Sequence, residues 1–161
     1  MNKSEKITLK SDKLYINEVE RFVESICDEQ NIYNNYYANI LMSVIEAYTN
    51  AVEHGNRYDE NKSVSIQFSI ESNGLVFSIQ DEGNGFDINS IQDPTDLKNE
   101  GTEGRGLFMI NSLSDNVEFE NNGSTLKLQF HIASINREVA NKRTELFHQY
   151  VNQGVKKEQE Q

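Results

Sequence analysis

Glu46 and Asn50 stand four residues apart in a stretch, Asn34 to His54, where Leu41, Val44, Ile45, Tyr48 and Val52 recur at helical spacing. Residues four apart on a helix project side by side, so this carboxylate and this amide share one face, opposite the apolar stripe. An amide oxygen is a hard ligand for magnesium, and a carboxylate can accept a proton from a nucleophile. A solvated polar face is the alternative. Asn, however, competes for backbone hydrogen bonds inside a helix. The face formed by Asn39, Ser43, Glu46, Asn50 and His54 also lacks any Lys or Arg, as a helix covered on two sides would.

Asp81 is the second chemical feature. Leu75, Phe77 and Ile79 alternate ahead of it, so Asp81 keeps the parity of the core residues of its strand. A carboxylate buried there needs a donor, from the protein or from a ligand; otherwise the strand ends at Gln80 and Asp81 opens a turn. Gly83 and Gly85 follow at once, and backbone without side chains can approach a flat ligand closely. The third feature is Gly101-Thr102-Glu103-Gly104-Arg105-Gly106, running into Leu107-Phe108-Met109-Ile110. N–H groups converge where such a loop opens a helix, and the helix dipole favours negative charge there. By itself the pattern also suits a mobile surface loop. It lacks the Gly-Lys-Ser/Thr ending of a P-loop and the βαβ setting of a dinucleotide fold.

These residues need elements to position them. Residues 6–11 and 13–16 give weak strand signals, and 17–29 predict an amphipathic helix through Val19, Phe22, Val23 and Ile26. The second helix, from Asn34, stops at Gly55. Val64, Ile66, Phe68 and Ile70, a turn at Ser72-Asn73-Gly74, and then Leu75, Phe77 and Ile79 predict an antiparallel hairpin. Five of the nine glycines and the only proline, Pro94, lie between residues 83 and 106. Long loops of this kind in small domains are usually functional, and 86–103 has the look of a lid. A helix from Gly106 to Leu113, a strand at 116–120, a turn at Asn121-Asn122-Gly123 and a strand through Leu126, Leu128, Phe130 and Ile132 follow. The expectation is an α+β two-layer sandwich with a mixed, mostly antiparallel sheet and helices on one face. Residues 1–133 would form this domain, 134–151 a C-terminal amphipathic helix, and 152–161 a disordered tail.

Composition narrows the partners. The chain has 161 residues, the length of one domain. Fifteen basic against 26 acidic residues give a net charge of −11, which repels a nucleic acid backbone. No stretch predicts a membrane span or a secretory leader, so a cytoplasmic location is expected. Cys27 is the single cysteine and there are three histidines, too few for a disulfide or a structural zinc site.

Taken together, the three features resemble a known family. Glu46 to Asn56 (EAYTNAVEHGN) is similar to the N box, Asp81 to Gly85 (DEGNG) to the first glycine box, and Gly101 to Leu107 (GTEGRGL) to the second glycine box of the GHKL ATP-binding superfamily. Over residues 8–132 the resemblance is strongest to the bacterial anti-sigma factor serine/threonine kinases. It implies a Bergerat-type ATP-binding fold holding ATP and Mg2+. Asn50 would coordinate the magnesium and Glu46 would act as general base. Asp81 would accept the adenine amino group in a pocket shaped by Gly83 and Gly85. The segment Gly104, Arg105, Gly106 and Leu107 would give N–H groups to the phosphates, within reach of His54 and Arg105, and Thr125 would join the adenine network. The implied activity is phosphorylation of a Ser or Thr on a STAS-domain anti-anti-sigma-like protein by a homodimer that can also hold a sigma factor. A non-catalytic ATP-dependent binding module of the same fold is the alternative.

Overall fold

A computed structural model describes residues 3–32, 35–72, 74–85, 105–131, 145–146 and 148–153. The chain divides into two units, residues 1–131 and 132–161. The first contains β1 (Ser4–Lys10), a 3-10 turn (Lys13–Tyr15), α1 (Ile16–Glu29), α2 (Asn35–Asn50), a π turn (Ala51–Gly55), β2 (Ser63–Glu71), β3 (Gly74–Gln80), α3 (Arg105–Leu113), β4 (Asn116–Glu120) and β5 (Thr125–Phe130). In the second unit 145–146 and 148–153 are helical, two residues beyond the expected end at 151, and Leu146 and Tyr150 are exposed. The rest of the expected helix and tail lies outside the described residues.

The strands form one sheet in the order β1-β2-β3-β5-β4. Every pairing among the described residues is antiparallel, so the parallel part of the expected mixed sheet does not appear among them. Register aligns the apolar side chains: Ile66 faces Ile79, which faces Leu126, and Phe68 faces Phe77, which faces Leu128. Directly opposed residues point to the same side, so alternation puts these on one face. Ser65, Gln67, Ser78 and Gln80 fall on the other. Phe77 stacks obliquely on Phe68, ring centroids 5.2 Å apart, and edge-on to Phe130 at 6.3 Å.

The expected strand at 13–16 is instead a helical turn. The Asp12 carboxylate accepts the Leu14 N–H at 3.0 Å and so caps the turn that leads into α1. In α1 Val19, Val23, Ile26 and Cys27 are buried, and burial pushes the Cys27 thiol up to about 12, which keeps it unreactive.

Helix α2 packs against α1, α3 and the sheet strands β3 and β5. Its buried face is Ile40, Val44, Ala47 and Tyr48, continued by Ala51 and Val52 of the π turn and rotated from the expected stripe, with Leu41 and Ile45 left partly exposed. Ser43, expected on the polar face, is fully buried. Its hydroxyl donates to the Asn39 carbonyl at 2.7 Å and lies 3.5 Å from Ser114 Oγ. That internal bond lets a polar residue sit under a neighbouring helix without an unmet donor. Tyr48 is fully buried too, its hydroxyl 2.8 Å from the Lys10 carbonyl and 2.7 Å from that of Asp12, tying the end of β1 to the helix layer.

Candidate nucleotide site

Two clusters make the site, roughly one helical turn apart along the run from Asn50 to Gly55. The first joins α2 to the start of α3. Glu46 and Asn50 are both half-buried, and they face Gly106. A Cβ at residue 106 would lie 2.7 Å from Glu46 Oε2 and 3.5 Å from both side-chain polar atoms of Asn50. Glycine there lets the α3 backbone come down onto the carboxylate and amide. The first N–H groups of a helix have no intrahelical acceptor, so Gly106 and Leu107 bring such donors beside Glu46 and Asn50.

The second cluster is built on Asp81, which is 9% exposed. The π turn that ends the α2 run carries Gly55 against the Asp81 carboxylate; a Cβ at Gly55 would overlap Oδ2. Asp81 Oδ1 accepts the Gly83 N–H at 2.8 Å. Gly83 in turn sits against the Gly55 carbonyl, and Gly85, at φ +79°, against the carbonyl of Asn122 in the β4–β5 turn. Three glycines therefore close the end of the helix, the end of β3 and the β4–β5 turn around one carboxylate. Burial raises the Asp81 carboxyl above its usual 3.8, opposed by the Gly83 N–H and, less strongly, by the charge of Lys62.

Asn56 holds this arrangement together and was not singled out from the sequence. It is 1% exposed, its amide donates to the Ser63 carbonyl at 2.9 Å, and its oxygen accepts the Glu82 N–H at 2.8 Å. One side chain thus ties the π turn to the start of β2 and to the residue after Asp81. Its signal in the sequence was an Asn directly after the helix-stopping glycine, a common turn pattern with no indication of distant partners.

The remaining candidates divide. His54 is exposed, 3.8 Å from Glu53 Oε2. Leu107 is nearly buried at the first turn of α3. Arg105 begins α3; Gly104 and the expected lid, 86–103, lie outside the described residues. Thr125 does not join Asp81. It is paired with Gln80, so alternation turns it to the opposite face of the sheet, where Asn121 Nδ2 donates to its hydroxyl at 3.1 Å. The residue opposite Asp81 is Ser124, whose carbonyl accepts the Asp81 N–H at 2.9 Å.

Residues 9–130, which include both clusters, match a family described as Histidine kinase-like ATPase domain. The chain belongs to that family. It is also similar to the serine-protein kinase RsbW of Bacillus subtilis (strain 168), 41% identical over 51 residues, and to RsbW of Bacillus licheniformis, 37% identical over 51 residues. Each match covers 32% of this chain and 32% of the relative, so the chain matches about a third of the length of these relatives. Both clusters, the Asp81 carboxylate with its glycines and the α3 start beside Glu46 and Asn50, lie within the matched residues. No helix among the described residues is long and apolar enough to cross a membrane.

The donor set also suits magnesium. No group of three or more His, Cys, Asp or Glu that could hold a metal occurs among the described residues. Magnesium is commonly held by one or two protein oxygens together with substrate phosphates, and Asn50 Oδ1 beside the α3 start fits that role.

Proposed function

We propose that this protein is an ATP-dependent serine/threonine protein kinase of the anti-sigma factor type. The observation that supports the reading is the close approach of Gly106 to Glu46 and Asn50, where a proton acceptor, a hard oxygen ligand and the first N–H groups of a helix converge. Asp81 accepts a hydrogen bond from the adenine amino group, and Gly83 and Gly85 let the backbone close in beside it. The N–H groups of Gly106 and Leu107, with Gly104 and Arg105 ahead of them and His54 nearby, receive the phosphates. Magnesium, when bound at Asn50, offsets charge on the phosphates. Glu46 takes the proton from the attacking hydroxyl; the bond from that oxygen to the γ-phosphorus forms as the bond to the β-phosphate oxygen breaks, and ADP leaves.

The substrate is a Ser or Thr on a small STAS-domain protein, presented on a loop or helix start so that its hydroxyl comes within about 3 Å of Glu46. Phosphorylation adds close to two negative charges; against a chain of net charge −11 the product is repelled and released, freeing the kinase, as a cytoplasmic homodimer, to hold a sigma factor. Incubation with γ-labelled ATP, magnesium and cell extract, followed by identification of the labelled protein, tests the activity. Absence of any labelled Ser or Thr would leave a nucleotide-dependent binding module.

Asp81→Asn separates binding from folding. The replacement amide can present a donor where the adenine amino group needs an acceptor, and ATP affinity is expected to fall by about 1.5–3 kcal/mol, the usual range for a hydrogen bond to a charged group. Stability without nucleotide should move the other way. A carboxyl whose folded pKa lies above its unfolded one favours the fold below the unfolded value, and that contribution is lost as pH rises through the folded one. At neutral pH the buried carboxylate is a standing cost that the neutral amide removes. Calorimetry with ATP and thermal unfolding without it check the two halves; a lower melting temperature would contradict the second.

A further inference from the structure

A cavity of about 310 Å³ has Gly55 in its wall, the residue against which the Asp81 carboxylate lies, together with Arg57, Lys62, Asn84 and Gly85. In a strongly acidic chain, two cations line this one space. The ion pairs found among the described residues involve Lys3, Lys13, His54 and Lys127, and neither Arg57 nor Lys62. Asp59, also in the lining, accepts the Asn61 N–H at 3.0 Å.

The segment that presents the cations is held in a costly shape. Arg57 and Tyr58 are consecutive non-glycine residues with φ of 51° and 58°, a region that side-chain-bearing residues occupy only when their surroundings enforce it and that collects at ligand clamps. Here the enforcement is visible. The Asn56 N–H donates to the Ala51 carbonyl at 2.8 Å, Tyr58 to Val52 at 2.9 Å, Asp59 to Asn56 at 3.0 Å and Lys62 to Asp59 at 3.0 Å. Lys13 Nζ also lies 5.7 Å above the Tyr58 ring. Lys62 thereby shares a cavity wall with Gly55, the residue that lies against the Asp81 carboxylate, and its charge favours the ionised form of that carboxylate.

We propose that Lys62 reads the base: its ammonium donates to one of the two ring nitrogens, N1 or N7, that flank the adenine 6-amino group accepted by Asp81. The proposal rests on the reading of the Asp81 cleft as an adenine pocket. An acceptor beside a donor is the complement of adenine, which offers an amino donor beside ring acceptors. Hypoxanthine puts an oxygen where the amino group was, against the Asp81 carboxylate, so ATP is preferred to ITP.

The test measures affinity of the full chain for ATP, 1-deaza-ATP and 7-deaza-ATP, with Lys62→Met and Arg57→Met beside wild type. Lys62→Met is expected to bind ATP about tenfold more weakly, the lower end for a charged hydrogen bond, and to show no further loss with the analogue lacking the nitrogen that Lys62 contacts. Arg57→Met should keep the wild-type preference for ATP over that analogue. Wild-type ATP affinity in Lys62→Met, or an equal loss for ATP and both analogues, overturns the proposal while the adenine reading stands. A wild-type chain that binds no ATP removes both.

Discussion

Glu46→Gln is expected to bind ATP with wild-type affinity and to transfer phosphoryl groups about 10²–10⁴-fold more slowly, the range for losing a general base. Glutamine has the same shape, and the α3 backbone at Gly106 leaves it the same space, so the nucleotide cradle stays intact while the proton acceptor is removed. Asn50→Ala behaves differently. It removes the oxygen beside the phosphates, and nucleotide affinity and its magnesium dependence should fall together. Single-turnover transfer measured at saturating ATP separates the two variants. Loss of ATP binding in Glu46→Gln with unchanged turnover per bound nucleotide would assign Glu46 to binding and favour the non-catalytic module.

The second large effect falls on stability. Asn56→Leu keeps the number and branching of the side-chain heavy atoms but strands the Glu82 N–H and the Ser63 carbonyl, both now satisfied by one buried amide. Orphaning such groups costs about 1–3 kcal/mol each; both partners lie near the surface, where water compensates in part, so a loss of about 2–4 kcal/mol is expected from urea unfolding. Asn56→Asp keeps an acceptor for Glu82 but sets a buried carboxylate against the Ser63 carbonyl, and at neutral pH should destabilise at least as much as Asn56→Leu. Because Glu82 follows Asp81, the Leu variant should also weaken ATP binding more than its lost stability alone explains. A wild-type unfolding midpoint would show that the clamp carries no stability.

Much of the candidate site's local geometry was legible because its signals are local. The i,i+4 spacing of Glu46 and Asn50 and the strand parity of Asp81 depend only on backbone geometry, which neighbouring residues dictate. The hairpin from Val64 to Ile79 and the strand through Leu128 followed from alternation for the same reason. Other features depended on which distant segments meet. The insertion of β5 between β3 and β4 is set by pairing across the long segment after Gly85, and that pairing, one residue at a time, turned Thr125 away from Asp81 and placed Ser124 opposite it. Ser43 was placed on the polar face, but helical periodicity does not say which segment packs on that face. The contact of Gly55 with the Asp81 carboxylate and the reach of Asn56 to Ser63 and Glu82 arise because the last turn of the α2 run widens into a π turn against the end of β3. The sequence alone thus determined the residue types and the local geometry that aims them. Tertiary structure decided register, cover and close approach, since these are properties of pairs of segments that no single segment contains.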